Sequence, residues 1–241
     1  MNATATPRIG PWAAIGLMVA AFIVLEVVLP FAREAIAPFF AAGPRGAVAL
    51  RATSSIVLVW SLFAAACVLL RLRGQSLRDI GWMRPARVWG WVFAVLFAAI
   101  YGGGVVSNMI RVGAPVATDW SAWRIAVALG IAISAGICEE TVFRGFLMTQ
   151  ARDGGAHWSV QLLLSALLFG LAHVGWGALG GHLQIGQMVG AASATAILGL
   201  MMAVTYLAGG RSLTPAILAH GAIDLLVEPW LLLYAVTGGH F

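Results

Sequence analysis

Glu139 and Glu140 are neighbours in an otherwise apolar stretch, with Arg144 one helical turn further on. Two more apolar stretches carry isolated polar groups, His173 in one, His220 and Asp224 in the other. A carboxylate in hydrocarbon costs on the order of 2.5 to 3.5 kcal/mol on insertion scales, so each such group needs a structural or chemical reason to be there. Glu140 and Arg144, at i and i+4, share a helix face and can neutralise each other, the guanidinium gripping the carboxylate in two places. Glu139, rotated by about 100°, is then free to point elsewhere. His220 and Asp224 repeat the i, i+4 spacing and can hold one water, ligand or metal between them. Glu139, His173, His220 and Asp224 thus offer two carboxyls and two imidazoles from three helices, enough for hydrolysis, with Glu140 and Arg144 as a supporting pair.

The elements that must position these groups follow from composition. With 61% of its 241 residues apolar and 10% charged, the chain is excluded from the soluble globules and is expected to be all-α: a polytopic transmembrane helix bundle forming a single domain over 1–241. The formal charge of +5 comes without a basic run, and the arginines gather in short segments between apolar stretches. The charge therefore speaks for membrane orientation, with no nucleic acid as partner. Cys67 and Cys138 match no metal or redox spacing and are expected to be inert.

Apolar runs between charged, Gly and Pro punctuation place spans near 11–29, 52–70, 88–106, 122–151, 158–175, 187–208 and 213–227, seven in all, then a short eighth helix over 229–237. The first span is expected to be retained rather than cleaved as a signal peptide. Segment 71–87 carries five arginines against one aspartate, which places it in the cytoplasm, and the N-terminus with it. Arg152 and Arg211 fall on the same side by parity. Trp82, Trp89 and Trp91 at one end of the third span, and Trp120 and Trp123 near the other connection, suit interfacial anchoring.

Helical rise tests whether the polar groups can meet. At about 1.5 Å per residue, Glu139 lies about 18 Å above residue 151, His173 about 22 Å above residue 158, and His220 and Asp224 about 12 and 18 Å above residue 212. All fall near the middle of a hydrocarbon slab about 30 Å thick. A polar cavity between the fourth, fifth and seventh helices is expected at that depth. His157, His182, His240, Glu26 and Glu228 are left out, as helix-end, loop or interfacial groups, and Phe169 is assigned to packing.

The ordered runs Glu139-Glu140-x-x-x-Arg144, Phe169-x-x-x-His173 and His220-x-x-x-Asp224 resemble the three motifs of the CPBP intramembrane proteases, also called the ABI or type II CAAX prenyl protease family. The resemblance covers roughly 120–230; the first three spans agree only in being hydrophobic. It implies an eight-helix bundle, with a cavity open to the cytoplasmic side, that cleaves peptides near a C-terminus or within the membrane. Glu139 would match the family's general base, His173 would position the water or bind a metal, and Glu140 with Arg144 would match the supporting pair. The family commonly has Asn where this chain has Asp224, and an ionised Asp cannot donate to an oxyanion as Asn can.

Two mechanisms are consequently open. Either Glu139 activates water directly while His220 stabilises the oxyanion and Asp224 carries a proton or orients His220, or a set drawn from Glu139, His173, His220 and Asp224 ligates zinc or another divalent metal. Asp in place of Asn favours the metal slightly. The expected protein is an intramembrane endopeptidase, integral to the bacterial inner membrane, acting on a membrane-associated peptide or protein. The alternatives are a non-proteolytic scaffold or immunity-type protein of the same fold and, further off, a proton-coupled transporter.

Overall fold

The computed structural model describes residues 8–114, 121–178 and 185–237, of which 44, 175–178, 187 and 228–237 are described by backbone alone. His182, His240 and Trp120, and the side chain of Glu228, lie outside that description. The described residues form seven long helices: α1 Pro11–Ile36, α2 Pro44–Leu72, α3 Val88–Arg111, α4 Ala122–Asp153, α5 Trp158–Ala178, α6 Ile185–Ala208 and α7 Thr214–Thr237. No strand occurs among the described residues. Five of the helices are long and apolar enough to cross a membrane, and α5 and α7 carry shorter apolar runs, Trp158–Val174 and Thr214–Val227. The protein is an all-α membrane helix bundle.

The second span begins at Pro44 rather than 52 and the third runs to Arg111 rather than 106; at two further boundaries proline is the reason for the difference. α1 runs through Pro30 to Ile36, and the stretch read as a separate eighth helix continues α7 through Pro229 without a break. Pro within an apolar span is tolerated because neighbouring helices and local backbone adjustment satisfy the freed carbonyl, so it is a weaker stop here than in water.

Large apolar side chains cover the outside of the bundle. Leu163, Leu167 and Leu171, spaced i, i+4, i+8 on α5, are each more than half exposed, as are Ile23, Val24, Val27 and Phe31 on α1. Where the solvent is lipid, burial of apolar area does not drive helices together, so close packing must. Small residues supply it. A Cβ on Gly170 would stand 2.6 Å from the Ala192 carbonyl oxygen, and one on Gly199 would stand 3.1 Å from Ala166 Cα, which brings α5 and α6 into extended contact. α4 runs through the centre, against α2 on one side and α7 on the other.

The loop after α2 clasps one end of the bundle. Ser76 and Asp79 cap a 3-10 turn, Leu77–Ile80, whose fully buried Ile80 packs into the core. Tyr206 Oη donates to the Ile80 carbonyl at 3.0 Å, Ser212 Oγ to the Arg84 carbonyl at 2.7 Å, and Arg73 Nε to Gln150 Oε1 at 2.8 Å. On the far side, the Arg8 amide donates to the Leu72 carbonyl at 2.8 Å. The N-terminal segment, the 73–87 loop and the Arg152 and Arg211 turns therefore share one face of the bundle, as helix parity requires.

Candidate active site

α4 is regular up to Glu140 and then opens into a π-helical stretch, Thr141–Leu147, before closing again. Thr141 Oγ1 donates back to the Ile137 carbonyl at 2.6 Å, a side-chain bond that competes with the α-helical ladder. Wide turns of this kind recur at functional sites. The helix expected over 122–151 thus has an irregular segment directly after the paired glutamates.

α7 approaches α4 closely at this level. A Cβ on Gly136 would stand 2.9 Å from the Ile217 carbonyl oxygen and 3.4 Å from the Gly221 amide nitrogen, so only glycine lets the two backbones meet here without displacement. The approach carries His220 onto the glutamates. His220 Nδ1 lies 2.7 Å from Glu140 Oε1, and the same oxygen accepts from Arg144 Nη1 at 2.8 Å. Arg144 Nη2 donates in turn to the Gly199 carbonyl at 3.1 Å, tying in α6. Glu140 and Arg144 are fully buried; a carboxyl bonded to a guanidinium acts as acceptor, so the proton between it and His220 sits on Nδ1.

The other imidazole nitrogen faces the remaining carboxyls. His220 Nε2 lies 3.8 Å from Glu139 Oε2 and 3.7 Å from Asp224 Oδ2, too far for direct hydrogen bonds and close enough for one small molecule to bridge. Glu139 Oε2 is buried and has no hydrogen-bond partner among the described residues. The Glu139 and Asp224 side chains keep 13% and 18% of their surface accessible, against none for Glu140 and Arg144. The accessible side of the cluster is therefore the Glu139–Asp224 side.

His173 takes its place through Phe169. Its Nδ1 lies 2.8 Å from the Phe169 carbonyl oxygen, which can only accept, so Nδ1 carries the proton and Nε2 offers a lone pair. The Phe169 ring, buried completely, lies 4.6 Å from the His173 ring, 5.8 Å from the His220 ring and 5.1 Å from Phe143, with the Arg144 guanidinium 4.4 Å above it. An aromatic residue read as packing is the wedge between both histidines and the buried cation. Sequence spacing also missed that Glu140, expected to serve Arg144 alone, holds His220. Spacing within one helix reveals partners on that helix only.

Zinc or another divalent metal needs several donors converging on one point. Among the described residues no three His, Cys, Asp or Glu side chains are grouped to hold an ion. As placed, these donors do not form a metal site.

A cavity of about 210 Å³ lies on the other side of Phe143, lined by Met18, Phe22, Leu62, Phe143, Leu147 and Ala172 among others, all apolar. It stands between α1, α2, α4 and α5, apart from the polar cavity expected between α4, α5 and α7. Glu26, expected near an interface, is 7% exposed, and its Oε1 has no hydrogen-bond partner among the described residues.

Fold and cluster together define a membrane helix bundle with an acid and imidazole site buried between α4, α5 and α7. Residues 120–226, which hold every member of that cluster, match the family model "Type II CAAX prenyl endopeptidase Rce1-like", the CPBP/CAAX protease family that the three motifs resemble. The match covers less than half of the chain and supports, in general terms, a CAAX-type endopeptidase set in a membrane. No curated protein and no solved structure matched the chain.

Proposed function

We propose that the protein hydrolyses a peptide bond of a membrane-associated protein, with Glu139 as the general base. The observation that carries the reading is the orphaned Glu139 Oε2, buried and unpartnered, 3.8 Å from His220 Nε2. An acceptor in that position is suited to a water molecule. Glu139 takes a proton from the water as its oxygen adds to the scissile carbonyl carbon, then delivers that proton to the amide nitrogen as the C–N bond breaks. Water is divided between the new carboxylate and the new amine, and the enzyme is left unchanged.

His220 is oriented for this by Glu140, in the way a buried carboxylate orients the imidazole of a serine protease. With Nδ1–H fixed on Glu140, a protonated Nε2 donates to the developing oxyanion, and Asp224 steadies that proton from the opposite side. His173, with its Nε2 lone pair, positions the water. Glu140 and Arg144 are positioning residues. The inner membrane as location, with the clasped face cytoplasmic, belongs to the same proposal and rests on the five arginines of 71–87.

The test is cleavage of a labelled peptide library by the purified protein in detergent, with and without chelator, beside Glu139→Gln and His173→Ala. The reading requires a fall of about 100-fold or more in the Glu139→Gln rate. Cleavage that survives both replacements removes the assigned roles, loss of cleavage on chelation restores the metal, and a wild-type protein that cleaves nothing is a scaffold or a transporter.

A further inference from the structure

Three guanidinium groups gather at the turn between α6 and α7, around a single residue. Gly210, at φ +73°, has the Arg87 side chain laid across it, Nε standing 3.0 Å from where a Cβ would be. Arg84 Nη1 donates to the Gly210 carbonyl at 3.3 Å. Arg211 follows directly and adopts φ +64°, a conformation a side-chain-bearing residue keeps only where its surroundings hold it. They do: Arg211 Nη2 donates to Gln161 Oε1 at 2.6 Å, and the guanidinium lies 5.8 Å from the Tyr206 ring centre. Its Nη1 is nevertheless buried with no hydrogen-bond partner among the described residues. Burial holds the Arg211 guanidinium below its ordinary value; Tyr206 opposes this, while Arg152 and Arg84 add like-charge repulsion.

Among the described residues no carboxylate forms an ion pair with any of the three, although Asp79 feels the Arg84 charge at longer range. Asp153 is engaged by Arg152, Gln75 and Arg73, and Asp79 by the Ser76 amide and hydroxyl. The height of the cluster in the bundle names the missing partner. Arg87 immediately precedes Val88 and Trp89, which open α3 with 67% and 60% of their surface exposed, so the cluster stands where the lipid-facing surface begins. Guanidinium groups bind phosphate through paired N–H donors, and basic pockets between helices at this level take lipid head groups.

We propose that Arg84, Arg87 and Arg211 form a binding site for the phosphate of an anionic phospholipid head group. The site is independent of the proteolytic reading. It is tested on the full-length protein in neutral detergent, by thermal unfolding against increasing phosphatidylglycerol, phosphatidylcholine or inorganic phosphate. Phosphatidylglycerol raises the melting temperature of the wild type and phosphatidylcholine does not. In Arg84→Gln and Arg87→Gln, both exposed and safe for folding, the half-saturating concentration rises about 5-fold for each guanidinium removed. Arg71→Gln, on the same face outside the cluster, leaves it unchanged. Equal stabilisation by phosphatidylcholine, unchanged binding by both variants, or an equal response to inorganic phosphate at matched concentration overturns the lipid assignment.

Discussion

Glu140 and His220, eighty positions apart, are joined by a 2.7 Å contact that also fixes the Arg144 guanidinium, since one carboxylate oxygen serves both partners. The next residue, Glu139, has an oxygen that serves nobody. The two neighbours should therefore respond differently to the same change. Glu140→Gln leaves a buried guanidinium without its counter-charge and costs about 3–5 kcal/mol, read as a fall in melting temperature in detergent. Glu139→Gln keeps the wild-type melting temperature and loses cleavage.

Phe169 links the two histidines to the cation. Phe169→Ala removes a fully buried ring and costs about 3–5 kcal/mol. Phe169→Leu keeps the apolar volume and removes the face beneath Arg144. The milder variant separates packing from positioning: it should melt near the wild type and cleave more slowly, with kcat falling and KM unchanged.

Close approach of α4 and α7 makes a third prediction. Gly136→Ala places a methyl 2.9 Å from the Ile217 carbonyl oxygen, which displaces α7 and His220 with it, at a cost of about 1–3 kcal/mol. Gly130→Ala meets only the Ile56 side chain at 3.6 Å and serves as the neutral control. Melting temperatures and cleavage rates of the pair check this.

The Asp79 carboxylate accepts from the Ser76 amide at 2.7 Å and the Ser76 hydroxyl at 2.8 Å, bonds that hold it below its ordinary value. A group whose folded value is depressed contributes stability above its unfolded value, about 4, and that contribution is lost as pH falls through the folded value. Asp79→Asn should cost about 0.5–1 kcal/mol at pH 7, kept small by the exposed setting. The difference from wild type should shrink on acidification below about 4, measured by thermal unfolding across pH.

Much of the cluster could be read from residue types and depth. Counting helical rise from the ends of three spans put Glu139, His173, His220 and Asp224 near one depth, and the structure brings Glu139, His220 and Asp224 together. His173 is held instead by the Phe169 carbonyl, with its ring against the Phe169 ring. Three things were not legible. Pro30 and Pro229 look like stops by the rules of helices in water, yet both helices continue. The π stretch after Glu140 leaves no trace in apolar periodicity because Thr141–Leu147 is buried on every side. The bond from Glu140 to His220 depends on how α7 crosses α4, which is set by Gly136 and Gly221, residues that in an apolar bundle look like any others.

The most direct test of Glu139 as the base that activates water is cleavage of a membrane-reconstituted substrate in H2(18)O, followed by mass spectrometry of product and enzyme under single-turnover conditions. Direct attack by water places one heavy oxygen in the new peptide carboxylate and none in Glu139, and Glu139→Gln forms no labelled product. Label appearing in the Glu139 carboxyl, or labelled product formed by the Gln variant at the wild-type rate, would contradict the account.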